Sequence, residues 1–219
     1  MPQTNIAQRK YNEIRKRAFE NFINIRLFHF FIQNPAIPEP NIDELIKLSI
    51  QKEMYDLYGR CHQMPSSLVV PHYPHIKIGE LDKLYKNWYD KNTQHTSALE
   101  KVFQEQHFFS KEEFIKFYGA DEIDRSCTYC KVLESEIEEL AEHGWIRTKR
   151  HLTRGRTMEL DRKDPFLPYT KDNVALCCYW CNNAKTDEFS INEFAGIGNA
   201  MTRIWIDRLR KIDKEKKMI

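Results

Sequence analysis

Apolar positions recur at three- and four-residue spacings through Ile6, Tyr11, Ile14, Phe19, Phe22, Ile23 and Phe30, which predicts a helix over residues 5–33. The prolines of the stretch 35–40 end it, because each removes a donor and crowds the preceding turn. Asn41 and Glu44 form an Asn-x-x-Glu variant of the capping box, so a second helix is expected from there to about Tyr58. Residues 61–77 carry Pro65, Pro71 and Pro74 around Leu68-Val69-Val70, and read as loop with a short extended piece. Helices follow at 79–90 and 96–107, and another from Ser110, where Glu113 completes a Ser-x-x-Glu box. Beyond about Gly119 the pattern changes. An acidic helix from Glu134 to His143 stops at Gly144, followed by two strand-like stretches, Thr157–Leu160 and Val174–Cys177. A short helix is expected over 179–186. Ser190 and Glu193 cap a final one toward Lys214, with Ile197, Met201, Ile204, Ile206 and Leu209 as its apolar stripe. The expected fold class is α+β and mostly helical, with a helical region over 1–119 and a second domain over 120–219.

Composition narrows this little. The 219 residues are 41% hydrophobic and 30% charged, with only seven glycines, which excludes a disordered chain and collagen-like repeats. No apolar run reaches the ~20 residues of a membrane-spanning helix, and the first residues lack the order of a signal peptide. The expectation is a soluble, cytoplasmic protein that does not engage membranes. Net charge is only +2, but it is unevenly spread. Five glutamates between Lys131 and His143 give way to Arg147, Lys149, Arg150, Arg154 and Arg156, and the tail from Arg203 to Lys217 holds seven basic residues against three acidic ones. Such stripes suit a polyanion and equally suit a solvated surface.

The cysteines carry the strongest chemical signal. Cys127-x-x-Cys130 and Cys178-x-x-Cys181 are two knuckles, each presenting a pair of thiolates on a tight turn, and together they supply the four-sulfur tetrahedron that zinc prefers. Disulfides and a redox Cys-x-x-Cys are the competing readings. A reducing compartment disfavours the first, and the matched pair of knuckles disfavours the second. Cys61 and Cys177 read as core thiols. His62, His72 and His75 beside Cys61 have no regular ligand spacing and no adjacent carboxylate, and read as ordinary loop histidines.

Between and beyond the knuckles the chain reads Arg154-Gly-Arg156-Thr-Met-Glu159-Leu-Asp161-Arg162, then Tyr169-Thr-Lys-Asp-Asn173, then Cys181-Asn182-Asn183-Ala-Lys185. This resembles the HNH endonuclease family, in the subset with Asp-Arg in place of Asp-His and two Cys-x-x-Cys knuckles. The resemblance covers about Cys127 to Phe189, under a third of the chain. It implies a ββα-metal unit pinned by a structural zinc on Cys127, Cys130, Cys178 and Cys181. Asp161 and Asn182 would face each other across a catalytic Mg²⁺ or Mn²⁺. Asn173 would orient the ββα loop and the general base, and Arg154, Arg156, Lys185 and His151 would lie near nucleic acid.

Arg162 stands where the family's usual base is histidine. A guanidinium stays protonated, so Arg162 can clamp a phosphate but cannot accept a proton from water. The resemblance points to Tyr169 as the group that helps activate water, with His151 as the second candidate. Taken singly, Asp161-Arg162 is an ordinary ion pair, Asn173 a turn former and Asn182 a helix cap. Their order between two knuckles favours a phosphodiester-hydrolysing endonuclease acting on double-stranded DNA in restriction, phage defence or a mobile element. A zinc-stabilised nucleic-acid-binding or protein-interaction module without catalysis is the rival. The first half and the last helix are candidates for a homodimer or partner-subunit surface.

Overall fold

The computed structural model describes residues 6–34, 36, 39–119, 123–146 and 155–217. It divides into two compact units that do not follow the chain in simple halves. One comprises residues 1–12, 111–165 and 171–219, the other residues 13–110 and 166–170. The first turns of the N-terminal helix and the helix after Ser110 therefore group with the cysteine-bearing part, and five residues of the connection between the two later strands group with the helices.

The helical unit is built on α1 (Ile6–Gln33), whose part beyond Asn12 belongs here. Its Phe22, Ile23, Ile25, Leu27, Phe28, Phe30, Phe31 and Ile32 are all buried, so apolar side chains cover more than one face of this helix. The helix expected over 41–58 is two helices, α2 (Ile42–Lys47) and α3 (Lys52–His62). The Asn41–Glu44 capping box is present. The chain then turns extended at Leu48 (ψ 125°) and enters α3 from an extended Gln51. No glycine or proline marks this break. Leu45 is buried and α3 separately buries Tyr55, Leu57 and Cys61, so tertiary packing outweighs a locally helical pattern. The short extended piece is a hairpin of β1 (Val69–Val70) and β2 (Tyr73–Lys77), turned at His72 with φ 67°. Helices α4 (Ile78–Asn92) and α5 (Ser97–Gln106) complete the unit.

In the other unit, α6 (Lys111–Tyr118) precedes the first knuckle and α7 (Glu134–Glu142) follows it. Gly144 ends α7 at φ 69°, with Trp145 N bonded to Leu140 O at 2.8 Å and Gly144 N to Ala141 O at 3.0 Å, the paired bonds of a Schellman cap. Strands β3 (Glu159–Arg162) and β4 (Val174–Cys177) pair antiparallel, Glu159 opposite Cys177 and Asp161 opposite Ala175. The first strand thus lies two residues later than its sequence predicts. Met158, the residue before it, is tied down by Tyr118, whose hydroxyl donates to Met158 O at 2.9 Å, and by Glu134, which accepts from Met158 N while pairing with buried Arg125 at 2.6 Å.

Helix α8 (Tyr179–Lys185) packs on β3, and α9 (Ile191–Lys216) closes the unit behind a Ser190–Glu193 capping box. The buried face of α9 is Phe194, Gly198, Trp205 and Ile212, with Met201 and Leu209 partly buried beside them. Ile197, Ile204 and Ile206, expected in the stripe, are exposed. Three- and four-residue steps from Phe194 run to 198, 201, 205, 209 and 212, and an isoleucine at 197, 204 or 206 falls off that line. No helix among the described residues is long and apolar enough to cross a membrane.

Candidate active site

All six cysteines are buried and none forms a disulfide. The sulfurs of Cys127, Cys130, Cys178 and Cys181 lie within 4.8 Å of one another, the only such ligand cluster among the described residues. Cys130 Sγ is 3.7 Å from Cys178 Sγ. Thiolates at zinc–sulfur distance on a tetrahedron sit about 3.8 Å apart, whereas a disulfide needs about 2.05 Å, so the set fits a four-sulfur metal site. Two different local structures supply the pairs. The first is a hairpin turn, with Cys127 N bonded to Val132 O and Lys131 N to Cys127 O at 2.9 Å each, made possible by Lys131 at φ 63°. The second is the start of α8, where Cys178 is the N-cap and accepts from Cys181 N. Cys61 and Cys177 are core thiols, 2% and 0% exposed.

On β3, residues two apart share a face, and Glu159 and Asp161 are both 7% exposed. On α8, residues three apart share a face, and these are Asn182 and Lys185. The two rows meet in step. Asn182 Nδ2 donates to Glu159 Oε2 at 2.6 Å, and Lys185 Nζ lies 3.1 Å from Asp161 Oδ2 while donating to Arg162 O at 2.8 Å. Each member of the expected facing pair, Asp161 and Asn182, is thus held by a partner on the opposite element. Lys185, expected at a phosphate, is instead 0% exposed and serves as the internal counter-charge of Asp161.

Asp161 has a further partner that no motif announces. The Tyr129 hydroxyl, inside the first knuckle, donates to Asp161 Oδ2. Burial raises the Asp161 carboxyl above its ordinary value, while Tyr129 and Lys185 pull it back. Burial and the neighbouring carboxylate push the Tyr129 phenol strongly upward, so it is a donor and not a base. Both Oδ2 bonds leave Asp161 Oδ1 without a hydrogen-bond partner among the described residues. The same holds for Asn182 Oδ1, because its amide is oriented by Glu159. Glu159 and Tyr129 are the site residues that sequence reading missed. The one available signal was Glu159-x-Asp161, two acids on one strand face.

Asn173, 7% exposed, closes the other end of the hairpin. Its Oδ1 accepts from Asp164 N at 2.9 Å and its Nδ2 donates to Asp164 O at 3.0 Å, clamping the chain as it leaves β3. Arg162 reaches Asp187 at 3.0 Å, and exposed Arg156 lies 3.6 Å from Glu138. Tyr169 belongs to the helical unit, where it lines a small cavity with Phe22 and His107. His151 and Arg154 lie outside the described residues.

No family model and no curated protein matches the chain. Among solved structures, the chain is similar to the rare-cutting HNH restriction endonuclease PacI at 27% sequence identity, covering 57% of this chain and 78% of that one with a TM-score of 0.40. Superposition that loose leaves function to be argued from the side chains of the site.

Proposed function

We propose that the chain is a metal-dependent endonuclease of HNH type, hydrolysing phosphodiester bonds in double-stranded DNA in the cytoplasm, in a restriction, phage-defence or mobile-element setting. The supporting observation is the pair of open oxygens, Asp161 Oδ1 and Asn182 Oδ1, carried by a strand–strand–helix whose helix begins inside a four-cysteine cluster. We read β3, β4 and α8 as the ββα unit, with zinc on the four cysteines as a structural ion. Oxygen donors of this kind suit Mg²⁺ or Mn²⁺, which when bound would stabilise charge building on the phosphate and the leaving oxygen.

The chain's own residues do the rest. Tyr129 and Lys185 hold Asp161 in one orientation, Glu159 holds Asn182, and Asn173 holds the hairpin loop. Arg162 is the phosphate clamp, and Arg154, Arg156 and His151 belong to the nucleic-acid side. Lys185 does not, and acts from beneath. Tyr169 and His151 are the two candidates for activating water. Residues 1–119 and α9 supply a homodimer or partner surface in this reading.

One observation favours a second reading. Lys185 already neutralises Asp161, as an ammonium would in a site that no longer needs a metal ion. The chain would then be a zinc-stabilised nucleic-acid-binding module. Supercoiled plasmid incubated with zinc-loaded protein in Mg²⁺, Mn²⁺ or EDTA separates the two. Metal-dependent nicking that disappears in Asp161→Ala is expected. Salt-sensitive DNA binding with no nicking in any metal would overturn the nuclease reading in favour of the module.

A further inference from the structure

The connection between the two strands of the proposed nuclease hairpin leaves its own unit. β3 ends at Arg162 and β4 begins at Val174, and of the residues between them 166–170 group with the helices. Most hairpin connections are far shorter, so this one does more than reverse the chain. A connection of such length stays mobile unless something along it is held. Its roots are held by Asn173, which clamps Asp164 N and O through its side chain and accepts from Lys163 N at 2.7 Å through its own carbonyl.

The far part is held by α3. Tyr55 and Gly59 stand four residues apart and so share one face of that helix. The Phe166 ring lies against Gly59. A Cβ added there would meet Phe166 Cε1 at 2.6 Å and Cδ1 at 2.7 Å, closer than real side chains approach. One turn away, Tyr55 lines a small space with Pro168 and Tyr169, alongside Asn21 and Phe22 of α1. All of these residues belong to the helical unit. Glycine inside a helix is destabilising relative to alanine, and Gly59 has no positive φ that would call for it. Its use is to let an aromatic ring rest on the helix backbone.

We propose that the helical unit is the anchor of the β3–β4 connection, with Phe166, seated on Gly59, as a positioning residue that fixes how the chain leaves β3 after Asp161 and Arg162. Its consequence for turnover rests on the nuclease reading. Asn173 grips the chain at Asp164 and α3 grips it at Phe166, on either side of buried Pro165. Proline fixes φ between the two grips, so a displacement at Phe166 is passed back toward Asp164. With the second grip lost, residues 166–170 swing on the first, and Asp161 and Arg162 hold their working geometry for a smaller fraction of the time. The helices of residues 13–110 thereby gain a task that the chemistry of the site leaves open.

The test compares full-length, zinc-loaded wild type with Gly59→Val, Phe166→Ala and the double variant. Valine is a better helix former than glycine, so Gly59→Val should melt close to wild type, and it decides the matter alone if Phe166→Ala does not fold. Hydrogen–deuterium exchange in peptides covering 166–170 should quicken by about tenfold in each variant. The kcat for nicking supercoiled plasmid should fall roughly tenfold, with DNA affinity and zinc content unchanged, because small misplacements of reacting groups cost turnover and not binding. The double variant should match the single ones, since all three remove the same contact. Exchange as slow as wild type, wild-type turnover despite fast exchange, or losses that multiply in the double variant would each overturn the proposal. An absence of nicking by wild type in every metal would instead sink the nuclease reading, and exchange alone would then decide whether the anchor exists.

Discussion

Burial raises the Asp161 carboxyl above its ordinary value, and two donors at one oxygen oppose that shift. Removing Lys185 leaves a buried carboxylate unpaired, so Lys185→Met should cost about 3–5 kcal/mol in urea unfolding. Adding Asp161→Asn to it should recover much of that loss, because no buried charge then remains. A double variant as unstable as the single one would mean that Lys185 acts through packing of its stem. Tyr129 contributes a hydrogen bond to a charged group, worth about 1.5–3 kcal/mol. Tyr129→Phe should fold, retain zinc and nick plasmid roughly tenfold or more slowly, with the loss in kcat and not in DNA affinity. Unchanged turnover would mean that Lys185 alone suffices to orient Asp161.

At the scale of elements, α9 is the support of the first knuckle. A Cβ at Gly198 would sit 3.0 Å from Tyr129 O and 3.2 Å from its Cβ, and Thr202 Oγ1 donates to Cys130 O at 2.9 Å. The glycine is there for close approach, not for backbone freedom. Gly198→Val should push α9 off the turn, costing about 1–3 kcal/mol of stability and weakening zinc retention against a chelator. Retention equal to wild type would mean that the knuckle is held by its own hairpin bonds. Because α8 starts at Cys178 and carries Asn182 and Lys185, metal at the cysteines and geometry at Asp161 are coupled through one helix. Stripping the metal should release one zinc per chain by elemental analysis and reduce the helical circular dichroism, with loss of nicking that added Mg²⁺ does not restore.

Across the molecule, one half-buried histidine makes stability depend on pH. His107 of the helical unit is neutral in the native state down to about pH 4, whereas an unfolded histidine takes up its proton near 6.5. Its folded value is depressed, so the unfolded state binds more protons within that window. Stability should therefore be full above 6.5 and decline as pH falls toward 4. His107→Gln should flatten the decline in melting temperature measured over that range. A decline unaltered by the substitution would assign it to other groups.

Much of this was open to reading in the chain itself. Capping residues at 41, 44, 190 and 193, the stop at Gly144 and the two Cys-x-x-Cys pairs act through neighbours within a few positions, and such signals survive without tertiary context. The division of 41–58 into two helices, the buried face of α9 and the grouping of 166–170 with the helices depend on surfaces brought together from afar. The site shows the same boundary. Asp161 and Asn182 stand out by residue type and order, and so they were candidates from the sequence. Their partners were decided by the stagger of α8 on β3, which sets Lys185 against Asp161 and Glu159 against Asn182, and by a knuckle that carries Tyr129 over thirty residues of chain to the same carboxylate. Local sequence specifies what a side chain can do, and only the packing of distant segments specifies what it meets.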